Sequence, residues 1–235
     1  MISIVIPVLN EASHIKEVLN HTLSLAGDFE IIVVDGGSED ETMKIVDSFP
    51  VVQTCSSVRG RSHQMNAGAA LAKGEILLFL HADTFLPDNS LLKIMAVMKK
   101  ESLVGGSFFL KFDHKHWILS FYTGLSKINS SFFTYGDHAI FIRNSVFKKI
   151  EGYKPLSFME DIEIQFRLKR EGKFVKLPVG VVTSARRFVE AGPVKQFFLD
   201  VFLVGLYHIG FSADSLKRFY KDWNSSIKLK EQNNE

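Results

Sequence analysis

Cysteine is all but missing from this chain: Cys55 is the single one among 235 residues. That excludes an internal disulfide and fits a reducing compartment. An excess of charge of one sign is missing too. Lys and Arg number 28 against 26 Asp and Glu, and a net charge of +2 leaves no electrostatic footprint for a nucleic-acid partner. No apolar run is long enough to span a bilayer. The most lipid-like segment, Val194 to Phe211, contains Lys195, Gln196, Asp200 and His208, whereas a spanning helix needs about 20 mostly apolar residues. Met1 to Pro7 lacks a basic leader region, and its short apolar run reads better as a first strand. The expected location is the cytoplasm. Glycine is absent from "PVLNEA" after that strand. This disfavours a dinucleotide-dependent oxidoreductase, and likewise a nucleotidyltransferase with a glycine-rich basic loop there.

What is present is an ordinary globular balance, 46% hydrophobic and 23% charged, with 21 Phe. Apolar β-branched runs alternate with helical patterns through the first hundred residues. Strands are expected at Ile2 to Val8, Ile31 to Val34, Val51 to Thr54 and Ile76 to Leu80, and helices at Glu11 to Leu25, Ser38 to Phe49, Arg61 to Ala72 and Asp88 to Lys100. Ser38 with Glu41 three places on is a capping-box pattern, and Asp88 is a candidate cap. Strand and helix alternating over short connections imply an α/β fold with a mostly parallel sheet covered on both faces. The second half is less regular. Strands are expected at Val104 to Phe112, His138 to Ile142 and Val179 to Val182, and helices at Trp117 to Ile128, Asn144 to Ile150 and Ile162 to Glu171. Pro193 opens a helical tail whose polar end, from Asn224, is expected to fray. The simplest division is one domain over 1–192 and a helical extension over 193–235.

Ligands of parallel sheets sit beyond the carboxyl ends of the strands. Acids stand at three such ends: Asn10-Glu11 after Pro7 in the first, Asp35-Gly36-Gly37-Ser38 in the second, and His81-Ala82-Asp83-Thr84 in the fourth. Magnesium sites use few protein carboxylates and let substrate phosphates complete the shell, so a lone Asp83 suffices if a diphosphate supplies oxygens. Asp35 beside two glycines can accept hydrogen bonds from a nucleobase while the backbone comes close. Arg59 and Arg61 precede a helix start, where guanidinium and free N–H groups both favour anions. The combination suits a nucleoside diphosphate and its metal. Blander readings stand beside each residue: Asp83 as a loop carboxylate, Arg59 as a surface charge, Glu160-Asp161 as a pair satisfying helix amides. Gly136-Asp137-His138 is either a turn or a contact to the acceptor or donor sugar.

Pro7-x-x-Asn10-Glu11, Asp35-Gly-Gly-Ser38, Arg61-x-x-Gln64-Met-Asn66-Ala-Gly68, Asp83 and Glu160-Asp161, in that order, resemble family 2 glycosyltransferases of the GT-A fold. "FLHADT" with "SARR" (Ser184 to Arg187) is similar to a bacterial subgroup named for its association with radical-SAM and selenoprotein-domain genes. The resemblance covers about Met1 to Arg187 and implies a nucleoside-diphosphate-sugar donor, an unspecified acceptor hydroxyl and inverting transfer. Pro7, Asn10, Glu11, Asp35 and Gly36 would line the nucleoside pocket, with Arg61 near the base or phosphates and Asn66 in the same motif. Asp83 would be the last acid of the Asp-x-Asp motif, holding ribose and a divalent cation, Mn2+ or Mg2+. His81 stands where the first aspartate belongs, so it is either a ligand itself or the mark of a weakened metal site. Asp161 would be the general base and Glu160 its partner. Arg186 or Arg187 could bind diphosphate, and Arg187 is taken as the candidate. The alternative is a degenerate domain that only binds nucleotide sugar or a membrane. The tail, mixing Phe197, Phe198, Phe202, Phe219, Tyr220 and Trp223 with Lys217, Arg218 and Lys221, packs on its own domain, on a second subunit, or on the inner face of a membrane bearing a lipid-linked acceptor.

Overall fold

Strand β1 (Ile2–Val8) sends Ile2, Ile4, Ile6 and Val8 into one hydrophobic cluster and Val5 into another on the opposite face. Strand β2 (Phe29–Asp35) divides the same way, Ile31 and Val33 from Ile32 and Val34, and so does β4 (Ile76–Phe79), Ile76 and Leu78 from Leu77 and Phe79. Side chains alternate across a strand, so an unbroken apolar run belongs in a sheet covered on both sides. The structure, a computed structural model, describes residues 1–232, with side-chain surroundings to Lys221 and at Trp223.

The remaining elements, in chain order, are α1 (Ile15–Leu23), α2 (Thr42–Val46), β3 (Val52–Ser56), α3 (Arg61–Leu71), β5 (Thr84–Phe85), α4 (Ser90–Met98), β6 (Leu103–Phe112), α5 (Trp117–Ser126), a 3-10 turn (Gly136–His138), β7 (Phe141–Arg143), α6 (Asn144–Lys149), α7 (Glu160–Glu171), β8 (Lys173–Thr183), α8 (Arg186–Ala191), α9 (Pro193–His208) and α10 (Ala213–Gln232). One sheet runs β3-β2-β1-β4-β7-β6-β8-β5. Its first four strands are parallel, β7 is antiparallel to both neighbours, and β5 is antiparallel to β8. The expected parallel half is therefore present, and a mixed half is joined to it through β7.

Register puts Val8 opposite Asp35 and Val5 opposite Phe79, so the chain leaves β1, β2 and β4 at one sheet edge. Gln64 on α3 ties that edge together, its Nε2 donating to Val8 O at 2.8 Å and Val34 O at 2.9 Å. Gly68 on the same helix has no room for a side chain: a Cβ there would stand 2.4 Å from Val5 Cγ1 and 2.9 Å from Val34 Cγ2. Thus α3 lies directly on β1 and β2, with its N-terminus at the edge where the strands end.

Several local expectations are corrected. The Ser38–Glu41 capping box does not form. Ser38 N instead donates to Asp35 Oδ1 at 2.9 Å, its hydroxyl accepts from Asn10 N at 3.0 Å, and α2 starts at Thr42 with no side-chain cap. Local side-chain bonds compete with caps, and here the loop takes them. Asp88 does not cap α4, which follows Asn89 in a left-handed conformation at φ 57°. The strand expected from His138 begins at Phe141, after a 3-10 turn, and the one expected at Val179 starts at Lys173. The backbone is helical to Gln232, over most of the tail expected to fray; residues 233–235 lie outside the described residues. No helix among the described residues is long and apolar enough to cross a membrane.

The C-terminal helices pack on the rest of the chain. Phe197 joins Ile118, Leu119 and Tyr122 of α5 and Phe188 of α8, while Leu199, Leu203, Val204 and Leu216 close over Met159 and Ile162. Residue 192 therefore separates chain segments that share cores.

Candidate active site

A cleft opens at the shared edge of β1, β2 and β4. Its inner part, about 310 Å³, is lined by Glu11, His81, Asp83, Gly136, Asp137, Asp161, Thr183, Arg186, Asp200 and Leu203, among others. It is continuous with an outer part of about 770 Å³ bounded by Pro7, Leu9, Arg59 to Gln64, Leu156, Lys217 and Tyr220. Glu11, Arg61, His81, Asp83, Glu160 and Arg187 line both.

Each side chain arrives by a traceable route. Helix α3 begins at Arg61 because Gly60 takes φ 141°, a left-handed turn that side chains resist. The first turn of α3 thus borders the outer cleft, where helix N–H groups and the macrodipole attract anions. Ser62 Oγ donates to Leu156 O at 3.1 Å, pinning the 155–158 loop over the same helix end. Asp83 is held because β5 pairs with β8 immediately after it, and its carbonyl accepts from Ser184 N at 3.2 Å.

Glu160 and Asp161 open α7. Asp161 Oδ2 accepts from Gly136 N at 2.7 Å and Oδ1 from Ile162 N at 2.8 Å. Burial nevertheless outweighs those two N–H groups and the Arg61 charge, so the Asp161 carboxyl sits above the ordinary aspartate range. Glu160 is pushed up to about 7, by burial first and by Asp161 second, against the pull of Arg61. Arg61 Nη1 lies 3.8 Å from Glu160 Oε1. Glu11 is raised by burial and then by Asp83; its Oε2 is buried without a hydrogen bond, with Arg186 Nη2 4.0 Å away and His14 Nδ1 3.7 Å away. Burial, followed by Arg61 and Arg187, lowers His81 well below the ordinary imidazole range, so the ring is neutral. Gly136 lies between His81 and Asp161: a Cβ there would stand 2.9 Å from His81 Nε2 and 3.6 Å from Asp161 Oδ2.

Of the residues singled out in the sequence, the cleft brings together Pro7, Glu11, Arg61, His81, Asp83, Glu160, Asp161 and Arg187. Arg186 lines it as well, so both arginines reach it; Arg187 Nη2 is paired with Asp200 Oδ2 at 2.7 Å. Asp35 is buried at the end of β2, holding Ser38 N, and Gly36 packs against the Gln64 carboxamide, 2.9 Å from where a Cβ would stand. Asn10 is exposed, and its Oδ1 accepts from Glu39 N at 2.8 Å, bracing the loop after β1. Asn66 is not brought to the cleft. Its Nδ2 donates to Tyr153 O at 2.7 Å and its Oδ1 accepts from Tyr153 N at 2.9 Å, so both ends of the amide hold a backbone segment. Sequence reasoning missed Thr183, Asp200, Leu203, Lys217 and Tyr220, which enter from β8, α9 and α10. No motif spacing signalled them.

A metal must be judged by its donors. Among the described residues no group of three or more His, Cys, Asp or Glu could hold an ion. Asp83 and neutral His81 line the same cleft, which fits a cation that takes its other oxygens from a diphosphate.

The model of glycosyl transferase family 2 matches residues 3–151, more than half of the chain, and the chain belongs to that family. It is 34% identical over 128 residues to a PGL/p-HBAD biosynthesis glycosyltransferase of Mycobacterium tuberculosis, covering 50% of each chain. It is 33% identical over 110 residues to the undecaprenyl-phosphate 4-deoxy-4-formamido-L-arabinose transferase of Pseudomonas fluorescens, covering 42% of this chain and 32% of that one. The chain thus spans half or less of the length of these relatives. Among solved structures, the mannosyltransferase PcManGT of Pyrobaculum calidifontis with GDP-Man and Mn2+ superposes with a TM-score of 0.69 at 18% identity, over 88% of this chain and 64% of that one. S. aureus TarS 1–349 with UDP-GlcNAc gives 0.63 at 18% identity, over 78% and 58%. These likenesses establish the GT-A fold.

Proposed function

We propose that the chain transfers a sugar from a nucleoside diphosphate to an acceptor hydroxyl, with inversion. The observation that carries this is one cleft holding both a cationic helix N-terminus at Arg61 and a half-buried carboxylate, Asp161, oriented by Gly136 N–H. The diphosphate lies along the first turn of α3, with Arg61 and the Arg186–Arg187 pair receiving its charge. Asp161 takes the proton of the acceptor hydroxyl as its oxygen bonds to the anomeric carbon; the bond to the diphosphate breaks and the electron pair leaves with it. A single displacement inverts the anomeric centre. Asp83, with His81, would hold Mn2+ or Mg2+, which supplies positive charge for the leaving diphosphate. The fold of PcManGT, solved with GDP-Man and Mn2+, supports the donor class and the cation.

The test is nucleotide binding and donor hydrolysis by the full chain. UDP-GlcNAc and GDP-mannose are offered with and without Mn2+, and Asp83→Ala is the control. Saturable binding and hydrolysis that Asp83→Ala removes are expected. Binding without turnover in every condition would mean the degenerate module instead.

"FLHADT" and "SARR" support the finer assignment to the bacterial radical-SAM-associated subgroup. A second reading concerns place. Phe198 and Phe202 on α9 are 60% and 51% exposed, and the rings of Phe202, Phe219 and Trp223 follow one another at 6.0 and 6.2 Å. This exposed aromatic face supports contact with a lipid surface and a lipid-linked acceptor. Flotation with anionic vesicles tests it; self-association without lipid binding would assign the face to a second copy of the chain.

A further inference from the structure

Asp137 is the middle residue of the 3-10 turn and lines the inner cleft, with 23% of its side chain exposed. Its Oδ1 is buried and has no hydrogen-bond partner. Facing it at 3.8 Å is Nε2 of His138, a fully buried residue whose Nε2 is likewise unpartnered. The other ring nitrogen, Nδ1, is 3.2 Å from Lys176 Nζ. That ammonium also reaches Thr134 Oγ1 at 2.7 Å and Phe108 O at 3.3 Å. Nδ1 itself lies 3.1 Å from Phe108 O, so the buried ring is held by a backbone carbonyl and by the Lys176 side chain while Nε2 faces Asp137.

Several other acids in and around the cleft are committed to protein partners, while Glu11 Oε2 shares the lack of a hydrogen bond. Asp200 takes Arg187 and Gln196, Glu163 takes Arg167 and Lys154, and Asp113 accepts from Ala185 N. No Arg or Lys among the described residues comes within ion-pair distance of Asp137. A buried polar group without a hydrogen bond is destabilising, so a carboxylate held this way in a cleft points to a ligand. A diphosphate is repelled by it, and the attacking acceptor hydroxyl belongs to Asp161. Asp137 feels the charges of both Asp161 and Asp83, at the proton-accepting and diphosphate ends of the site. Burial, opposed by Arg187 and aided by those two acids, raises it to about 7, so near neutrality it can both donate to and accept from hydroxyls.

We infer that Asp137 contacts substrate by binding hydroxyl groups of the sugar on the nucleotide, and that His138 and Lys176 are positioning residues behind it. This rests on the reading of the cleft as a nucleotide-sugar site. The experiment measures affinities of the full chain for UDP, GDP, UDP-GlcNAc and GDP-mannose, and hydrolysis KM for whichever donor binds. Asp137→Ala is expected to lose about tenfold or more for the sugar nucleotide while the bare nucleotide stays within about twofold, because the contact lies on the sugar alone. His138→Gln and Lys176→Met are expected to show the same selective loss, smaller in size. An unchanged sugar-nucleotide affinity in Asp137→Ala, or an equal loss for both ligands, overturns the assignment. Wild-type affinities in His138→Gln and Lys176→Met overturn the positioning role. Failure of the wild type to bind any nucleotide fails the underlying reading instead.

Discussion

The backbone N–H of Gly136 donates to Asp161 Oδ2 across 2.7 Å, and the same glycine lies against the His81 ring. A residue of a turn between α5 and β7 therefore aims the carboxylate that opens α7. A Cβ at Gly136 would stand 2.9 Å from His81 Nε2, so Gly136→Ala must displace the ring or the turn. Its φ is not in the left-handed region, and the fold tolerates alanine. Transfer is expected to fall by about 10²-fold, the scale of a small misplacement of catalytic groups, with the thermal midpoint nearly unchanged. Paired kinetics and thermal melts check this.

Asp161→Asn keeps the shape and removes the base. The amide still accepts from Gly136 N through its oxygen, so nucleotide affinity is expected to persist. Transfer should drop by about 10²–10⁴-fold. Near-wild-type turnover in this variant sinks the assignment of Asp161.

The acidic limb of activity follows from burial of the Glu160–Asp161 pair. Both carboxyls are raised by burial, and the base works ionised, so turnover should rise with pH along a limb displaced above the ordinary aspartate range. Arg61 lowers both groups; Arg61→Met should move the limb to higher pH. Stability runs the opposite way. Glu160 binds its proton more tightly folded than unfolded, so its contribution is present below the ordinary value of 4.5 and is lost as pH rises through about 7. Glu160→Gln should flatten that fall in the thermal midpoint, which melts at a series of pH values will reveal.

Asn66 separates scaffold from site. Asn66→Ala strips both hydrogen bonds from the Tyr153 backbone, at a cost of about 1–3 kcal/mol for each group left buried and unpaired. Urea denaturation should show the loss, while the folded variant binds nucleotide as the wild type does. Selective loss of nucleotide affinity at unchanged stability would return Asn66 to the cleft.

The strand ends were legible because burial on both faces forces unbroken apolar runs, and those runs stop where the chain leaves the sheet. That logic led to Glu11 and Asp83, whereas the start of α7 was reached through the family resemblance. It could not separate Asn66 from Arg61, since an amide reads the same whether it meets a ligand or a backbone. Ser38 and Glu41 have cap spacing, yet the hydroxyl is drawn to Asn10 N, a contact made across 28 positions. Thr183, Asp200, Lys217 and Tyr220 reach the cleft only because β8, α9 and α10 return to it. Strand β5, two residues long, has no pattern to read.

That short strand has a bearing on synthesis. Thr84 pairs with Thr183, their hydroxyls 2.8 Å apart across 99 positions. The stretch ending in Asp83 is thus clamped by nearly the last strand of the sheet. A nascent chain released only through residue 151 has β1 to β4 in hand, yet Asp83 still lacks its partner. Domains assemble as units during translation, and the clamp on Asp83 arrives late, once residues 173–184 have left the ribosome.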